Sequence, residues 1–347
     1  MDQQHPGTAA AAGNSRRASP RKKAPDARYP DPILTPATEE TPQQMPAPTV
    51  SSARTIVTTG WHDLSEEAYH ADPCPAPSLS SHTAMNIIGK SLLHAWRGHP
   101  RSPMFEPSIL GTSADRGSAA HALLFGGKAI EPIAADDFRT AAAREARERA
   151  RSLGRIPMLE REIEGLMLMV KPAQQRFADL HEGAYLCEQS AIWRAGDTEA
   201  GWRRGRIDTL SPSRALIVDY KTTEAAVDAL SCERRIADMG LHIQAAAYVD
   251  AVETLHPELM GRVRFVFQWQ EQKAPYALSP PIDMSEAFMS LGRTQWLAAG
   301  RLWDLALKHG AFPAYSPHPH LACPPPWELS RWEERLAADP SLAEVMS

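Results

Sequence analysis

Residues 205–223 read GRIDTLSPSRALIVDYKTT, and this stretch decides the fold. Apolar and β-branched residues lead up to each acidic residue, and the Ser-Pro-Ser-Arg segment between them is typical of a turn. The stretch therefore predicts a β-hairpin with strands at 205–210 and 215–223. Because side chains alternate along a strand, we expect Asp219 and Lys221 on the same face.

The distance between the two acidic residues depends on the register of this hairpin. If Leu210 pairs with Ala215, Asp208 lies opposite Ile217 and diagonally from Asp219, with the two aspartate Cα atoms about 7–8 Å apart. Carboxylates this close repel each other unless a cation lies between them, and Mg²⁺ binds one or two carboxylates together with waters and phosphate oxygens. One divalent metal could therefore bridge the two carboxylates, with Lys221 placed to orient an attacking water. An ordinary edge hairpin with solvated charges is the alternative for so short a pattern.

Length and composition limit the class of protein. The 347 residues suffice for one large or two ordinary domains, and the 43% hydrophobic content supplies a core. The mean hydropathy is -0.37, and neither a long apolar run nor a signal peptide is present, so we expect a cytoplasmic protein without a membrane span. The four cysteines lie far apart without a C-x-x-C pair, which argues against an iron–sulfur or zinc site. A net charge of -5 argues against a protein that coats DNA by charge alone, but less against an enzyme with an acidic metal site.

The composition divides the chain into three segments. Residues 1–54 are rich in Pro, Ala and Ser and lack apolar periodicity, which predicts a disordered arm. The basic cluster in this arm is either a contact for nucleic acid or a partner, or a solvated tail. It consists of Arg16, Arg17, Arg21, Lys22, Lys23 and Arg28. Residues 55–315 carry the patterns of a folded domain, and residues 316–347 form a Pro-rich C-terminal tail.

Three helical stretches precede the hairpin. Ser80 and Ser81 are predicted to cap a helix that runs to about Trp96, with contact to a phosphate as their alternative role. Small residues in the helix at 117–126 allow close packing that would bring His121 inward, as a core histidine or as a ligand. The stretch 136–179 is strongly helical, and arginines crowd its first half, either paired with glutamates or forming a lid that contacts phosphate. These arginines are Arg139, Arg144, Arg147, Arg149, Arg151 and Arg155.

The remaining elements surround the hairpin in the sequence. A strand at 184–194 places Glu188 just before the hairpin, and a further strand is predicted at 261–271. Helices are predicted at 225–239, at 241–251, where Gln244 and Tyr248 share one face, and from about 283 to 309. Strands interleaved with helices predict an α/β fold with a mixed sheet.

In chain order, five short motifs carry the polar residues that could do chemistry. They are Gly117-x-x-x-His121, the strand residue Glu188, Arg206-x-Asp208, Asp219-x-Lys221-Thr222-Thr223 and Gln244-x-x-x-Tyr248. This series, which spans roughly residues 61–271, resembles the PD-(D/E)xK nuclease superfamily and, within it, the RecE-like exodeoxyribonucleases of prophages. RecB-type and lambda-type exonucleases are more distantly similar. The resemblance implies a restriction-endonuclease-like core, a central mixed β-sheet flanked by helices, as an exonuclease domain at 55–315; Ile207 stands where the superfamily name has proline.

The same resemblance implies roles for individual residues. The metal ligands would be His121, Asp208, Asp219 and the backbone carbonyl of Tyr220. Lys221 would be the catalytic lysine, and Glu188 would act through a coordinated water or as a ligand. Gln244 and Tyr248 would brace the active site and contact the scissile strand. The implied cofactor is Mg²⁺, with Mn²⁺ as an alternative, and the implied partners are duplex DNA degraded from its 5′ end, further copies of the chain in a ring, and a single-strand annealing protein.

One residue of the hairpin has two possible roles. In the register with Leu210 opposite Ala215, Arg206 lies opposite Asp219, and we expect it to pair with that carboxylate; contact with a DNA phosphate is the alternative. At the level of the whole chain, the favoured hypothesis is a metal-dependent DNA exonuclease of phage recombination. An endonuclease or RNA-directed relative on the same fold and a non-catalytic nucleic-acid-binding protein are the alternatives.

Overall fold

The computed structural model describes residues 55–106, 112–196 and 201–345, so the predicted arm at 1–54 lies outside the described residues. In this part of the chain the strands are β1 (Gly60–His62), β2 (Ile130–Ile133), β3 (Ile156–Leu159), β4 (Leu186–Arg194), β5 (Trp202–Leu210), β6 (Leu216–Thr223), β7 (Arg264–Glu271) and β8 (Ile282–Asp283). The helices are α1 (Glu66–His70), α2 (Ser81–Gly89), α3 (Leu92–Arg97), α4 (Thr112–Phe125), α5 (Ala141–Ser152), α6 (Glu160–Leu180), α7 (Ala229–Asp238), α8 (Leu241–Leu255), α9 (Glu286–His309), α10 (Pro326–Ala338) and α11 (Pro340–Val345).

Six of these strands form one mixed sheet in the order β1-β4-β5-β6-β7-β8. The β6 and β7 strands are parallel, with α7 and α8 in the connection between them, and the other neighbours are antiparallel. The β2 and β3 strands form a separate parallel pair. The predicted α/β fold with a mixed sheet is therefore confirmed.

Helices cover both faces of the large sheet. One core lies against α2, α3, α7, α8 and α9 and contains the buried Trp96 and Trp303. The second core lies against α4 and α6 and contains Phe177. Consecutive residues of β6 contribute to different cores, Ile217 to the first and Val218 to the second. Because both faces of the central strands are buried, a charged side chain that points from them needs a partner.

Two buried arginines of β5 attach the surrounding elements to the sheet. Arg203 donates two hydrogen bonds to the carboxylate of Asp304 on α9, at 2.9 and 2.8 Å. A side chain at Gly300 would lie 3.0 Å from the guanidinium of Arg203, so this glycine leaves room for the pair. Arg204 lies 3.2 Å from the fully buried carboxylate of Asp72, and the Ser78 N–H also donates to that carboxylate. The two arginines thus fix α9 and the segment before α2 against β5.

The register of the hairpin differs from the prediction by two residues. Leu210 pairs with Ile217 rather than with Ala215. The reason lies in the turn, because the Ser211 N–H already donates to the carbonyl of Leu216, which leaves Pro212–Ala215 as the connection. The next pair in this register would be Asp208 with Asp219, so the two aspartates are directly opposite rather than diagonal.

Two predicted helical stretches are interrupted, and the Pro-rich tail is partly helical. The helix after Ser80 ends at Gly89, and Ser91 caps a new helix by accepting from the His94 N–H. The stretch 136–179 contains strand β3, an apolar run that is buried throughout and pairs with β2. The segment 316–347 contains α10 and α11, and none of the residues of α10 is buried.

The ladder between β4 and β5 is broken at one residue, Glu188. Cys187 pairs with Thr209 and Gln189 pairs with Ile207, but the pair between them, Glu188 with Asp208, is missing. Glu188 has a φ of 52°, the left-handed conformation, which is uncommon for a residue with a side chain and costs about 1–3 kcal/mol. Such strain persists only where the surroundings hold the residue in place.

We predict that Glu188→Gly is more stable than Glu188→Ala by about 1 kcal/mol, because a Cβ is strained in the left-handed region and glycine is not. The free energy of unfolding of both variants in urea measures this difference. Gln189→Gly and Gln189→Ala provide the matched control on the same strand, where the alanine variant should be the more stable one. A Glu188→Ala protein as stable as Glu188→Gly would contradict the left-handed backbone at this position.

Candidate metal centre

The three acidic residues of the predicted site lie in one row across neighbouring strands. The register of β4 with β5 places Glu188 opposite Asp208, and the register of β5 with β6 places Asp208 opposite Asp219. Both ladders lack regular pairing at this row. The candidate site thus lies where the regular pairing of β5 with its two neighbours is missing.

Helix α4 brings His121 to this row. Gly117, one turn earlier in α4, packs against β6 so closely that a Cβ would lie 2.8 Å from the Thr222 hydroxyl. That hydroxyl accepts a hydrogen bond of 2.8 Å from the side chain of Gln272. The glycine of the Gly117-x-x-x-His121 motif therefore has a physical role, because it allows the close approach that places His121 over the strands. The close contact with Thr222 was not predicted from the sequence.

His121 lies between two of the carboxylates. Its Nδ1 is 3.1 Å from Glu188 Oε1, and its Nε2 is 3.2 Å from Asp208 Oδ1. Burial lowers the pKa of His121, but the neighbouring Asp208 and Glu188 carboxylates outweigh burial and raise that pKa to about 9. Among the described residues, these three side chains offer ligand atoms that all lie within 4.8 Å of one another. The structure thus brings together His121 and Asp208 as predicted and adds Glu188 to them directly.

Asp208 also connects the two strands of the hairpin. Its Oδ2 accepts a hydrogen bond of 2.9 Å from the backbone N–H of Tyr220, where the β5–β6 ladder has already ended. Burial opposes ionisation of Asp208, yet its pKa is lowered because His121 and this N–H favour the charged form. The side chain of Tyr220 lies in the second core and donates to Gln270. The predicted role of the Tyr220 carbonyl as a ligand stays a prediction.

Asp219 and Lys221 form an ion pair at the other end of the row. Lys221 Nζ is 2.5 Å from Asp219 Oδ2, which agrees with the expectation that both side chains lie on one face of the strand. Gln244 of α8 donates to Asp219 Oδ1 at 2.8 Å. The Asp219 side chain is fully buried, and burial raises its pKa to about 7 although Lys221 opposes the shift.

Tyr248 follows Gln244 by one turn and supports strand β5. Its ring packs on Gly205 so closely that a Cβ there would lie 3.3 Å from two ring carbons. Burial raises the pKa of Tyr248 well above its usual value. Gln244 and Tyr248 therefore brace the site from α8 in different ways, while their contact with DNA stays a prediction.

Arg206 pairs with Glu188 and not with Asp219, which corrects the prediction. Its Nε donates to Glu188 Oε2. The cause is the register, since the observed pairing places Arg206 opposite Ser190 of β4 and moves Asp219 opposite Asp208. Burial raises the pKa of Glu188, while His121 and Arg206 oppose that shift.

The structure places the other residues predicted to contact DNA, Ser80 and Ser81, and two arginines of the arginine-rich stretch in largely buried positions. Ser80 caps α2, where its hydroxyl accepts from the Thr83 N–H at 3.2 Å, and Ser80 and Ser81 are both only 8% exposed. Arg147 and Arg151 of the arginine-rich stretch bind the buried carboxylate of Asp115 at the start of α4. These two arginines thus hold α5 against α4, and their pairing with Asp115 was not predicted. A contact of Ser80 and Ser81 with DNA stays a prediction.

The donor set fits a hard divalent cation. Carboxylate oxygens and water are the preferred ligands of Mg²⁺ and Mn²⁺, and a neutral imidazole can complete such a site. Glu188, Asp208 and Asp219 concentrate negative charge in a partly buried place, where a cation offsets their repulsion. The residues that would hold the metal are His121, Asp208 and Glu188, with Asp219 beside them.

Comparison with known proteins gives the family. No curated protein is significantly similar in sequence. A crystal structure described as that of a "Putative exonuclease" from Eubacterium rectale is 12% identical, with a TM-score of 0.49, and the match covers 76% of this chain and 96% of that one. No described helix is both long and apolar enough to cross a membrane. The family model of the PD-(D/E)XK nuclease superfamily matches residues 94–324, which include His121, Glu188 and the whole hairpin, and the chain belongs to this superfamily.

Proposed function

We propose that the protein is a metal-dependent DNA exonuclease that hydrolyses phosphodiester bonds of linear duplex DNA and leaves 5′-phosphates. One observation carries the proposal: the His121–Glu188–Asp208 cluster lies in the same row as the Asp219–Lys221 ion pair. Metal-dependent phosphodiester hydrolysis needs a cation site and a group that orients the attacking water, and the row and its neighbours offer residues for both.

The proposal assigns three tasks to the residues of the row and their neighbours. His121, Glu188 and Asp208 hold the cation, together with Asp219. Lys221 Nζ orients the attacking water and offsets charge that develops on the phosphate. Gln244 holds Asp219 in place through its 2.8 Å hydrogen bond. A divalent cation bound there supplies Lewis acidity, which lowers the pKa of water and offsets the phosphate charge.

The finer parts of the proposal rest on the order of the motifs in the sequence. Exonuclease action with 5′-to-3′ polarity, Mg²⁺ as the preferred cation and Mn²⁺ as a substitute follow from the resemblance to RecE-like enzymes. The same resemblance supports a role in phage recombination, a ring of several copies and a single-strand annealing protein as partner. A cytoplasmic location is part of the same proposal, since it would give the protein access to DNA.

We predict that Lys221→Ala and Asp219→Asn each lower the rate of DNA degradation by about 10²–10⁴-fold, because each removes a group that acts on the water or the cation. The measurement is the loss of linear duplex DNA with Mg²⁺, with EDTA as the metal-free control. Lys171→Ala, which changes an exposed lysine on α6, is the matched control and should keep the wild-type rate. Unchanged degradation by Asp219→Asn would show that this row is not the catalytic site.

We predict that covalently closed circular DNA stays intact under conditions in which linear duplex DNA of the same sequence is degraded, because an exonuclease needs an end. DNA labelled at the 5′ or the 3′ end measures the polarity, and the 5′ label should be released first. Cutting of the closed circle would identify an endonuclease on the same fold. Early release of the 3′ label would reverse the proposed polarity.

A further inference from the structure

We propose that Arg206 is a positioning residue, which holds Glu188 so that one carboxylate oxygen points to His121 and the cation. The proposal rests on the proposed metal-dependent function and extends it to a residue outside the set of ligands. Its basis is the group of hydrogen bonds that Arg206 makes, together with the strained backbone of Glu188.

Arg206 makes contacts in three directions. Its Nε donates to Glu188 Oε2, and its second nitrogen donates to the Ser190 hydroxyl at 3.1 Å and to the carbonyl of Leu64 at 2.8 Å. Its side chain is 16% exposed and that of Glu188 is 17% exposed, so water competes little for these bonds. The hydrogen bonds to Ser190 and Leu64 thereby fix the guanidinium independently of the Glu188 carboxylate.

This arrangement divides the two oxygens of Glu188 between two tasks. Oε2 is held by Arg206, and Oε1 lies 3.1 Å from His121 Nδ1. Glu188 therefore presents a single oxygen to the ligand cluster. A carboxylate without the Arg206 bond could rotate, because nothing else that the structure shows for Glu188 holds Oε2.

The backbone of Glu188 strengthens the argument. A left-handed residue in the middle of a strand persists only where other contacts hold it, and Arg206 is directly bonded to its side chain. Residues that orient a ligand in this way typically change metal affinity 10–100-fold when they are mutated. If Arg206 positions Glu188, its mutation should therefore change the dissociation constant of the metal.

Two explanations of the pair make opposite predictions. If Arg206 only offsets charge, Arg206→Lys keeps the charge and should bind metal as the wild type does, and Arg206→Gln should bind it more tightly. If Arg206 positions Glu188, both variants should bind metal more weakly, because neither side chain can reproduce the fork that reaches Glu188, Ser190 and Leu64 together.

The experiment is a titration of the full-length protein with Mn²⁺ alone, followed by electron paramagnetic resonance of the free ion. We expect the dissociation constant of Arg206→Lys and of Arg206→Gln to rise 10–100-fold. Arg155→Lys is the matched control, since Arg155 pairs with Glu131 away from the metal centre, and its affinity should be unchanged. Thermal unfolding of each variant establishes that it is folded.

A double-mutant cycle separates positioning from general damage to the fold. Glu188→Ala removes the carboxylate that Arg206 holds, so adding Arg206→Lys to it should leave the Mn²⁺ affinity of Glu188→Ala unchanged. A further loss in the double variant would show that Arg206 acts otherwise, and would overturn the inference.

The outcomes distinguish this inference from the proposed function. Wild-type binding of Mn²⁺ with equal or tighter binding by Arg206→Lys would overturn the positioning role and leave the nuclease proposal in place. A folded wild type that binds no Mn²⁺ would overturn both. Both the positioning role and the nuclease proposal would be supported if the two Arg206 variants bind Mn²⁺ more weakly than the wild type and if Arg206→Lys has no further effect in the Glu188→Ala background.

Discussion

The repulsion among three carboxylates in one row of the sheet is the constraint on which the rest of the site depends. Each carboxylate has a cationic side chain beside it: Arg206 beside Glu188, His121 beside Asp208 and Lys221 beside Asp219. Carboxylates placed this close without partners would favour protonation or separation of the strands. The basic residues come from α4, β5 and β6, so the elements around the row must keep fixed positions.

The sheet itself is altered to accommodate the row. The β5–β6 ladder ends before Asp208, and the β4–β5 ladder is interrupted at Asp208 and Glu188. The Tyr220 N–H that is left without a ladder partner donates to the Asp208 carboxylate. Glu188 adopts a left-handed conformation at the same row. A buried N–H without a partner would cost about 1–3 kcal/mol, so the carboxylate stabilises the opened strands as well as forming part of the site. Asp208 therefore has two roles, since its carboxylate satisfies the Tyr220 N–H and also belongs to the ligand cluster.

Local patterns in the sequence predicted the hairpin and the helix that carries Gln244, but not how the strands align. Alignment depends on the turn, where one hydrogen bond from Ser211 to Leu216 shifts the pairing by two residues. The partner of Arg206 could not be predicted, because Glu188 lies on β4 and meets Arg206 through the register of β4 with β5, which the turn of the hairpin does not set. Strand β3 was not predicted for a different reason. It is a short apolar run between two stretches of helix-forming residues, and without alternation of apolar and polar residues it shows no period typical of a strand.

The hydrogen bonds of the row divide the six carboxylate oxygens into two groups. One oxygen of each residue is held by a donor of the scaffold: Arg206 for Glu188, the Tyr220 N–H for Asp208 and Gln244 for Asp219. The other oxygen faces His121 or Lys221, which lose their positive charge only by giving up a proton. A divalent cation needs oxygens that are fixed in direction yet not committed to a permanent partner. Glu188 and Asp208 meet both conditions, because the scaffold holds one oxygen of each and the other oxygen faces His121, which is itself a candidate ligand.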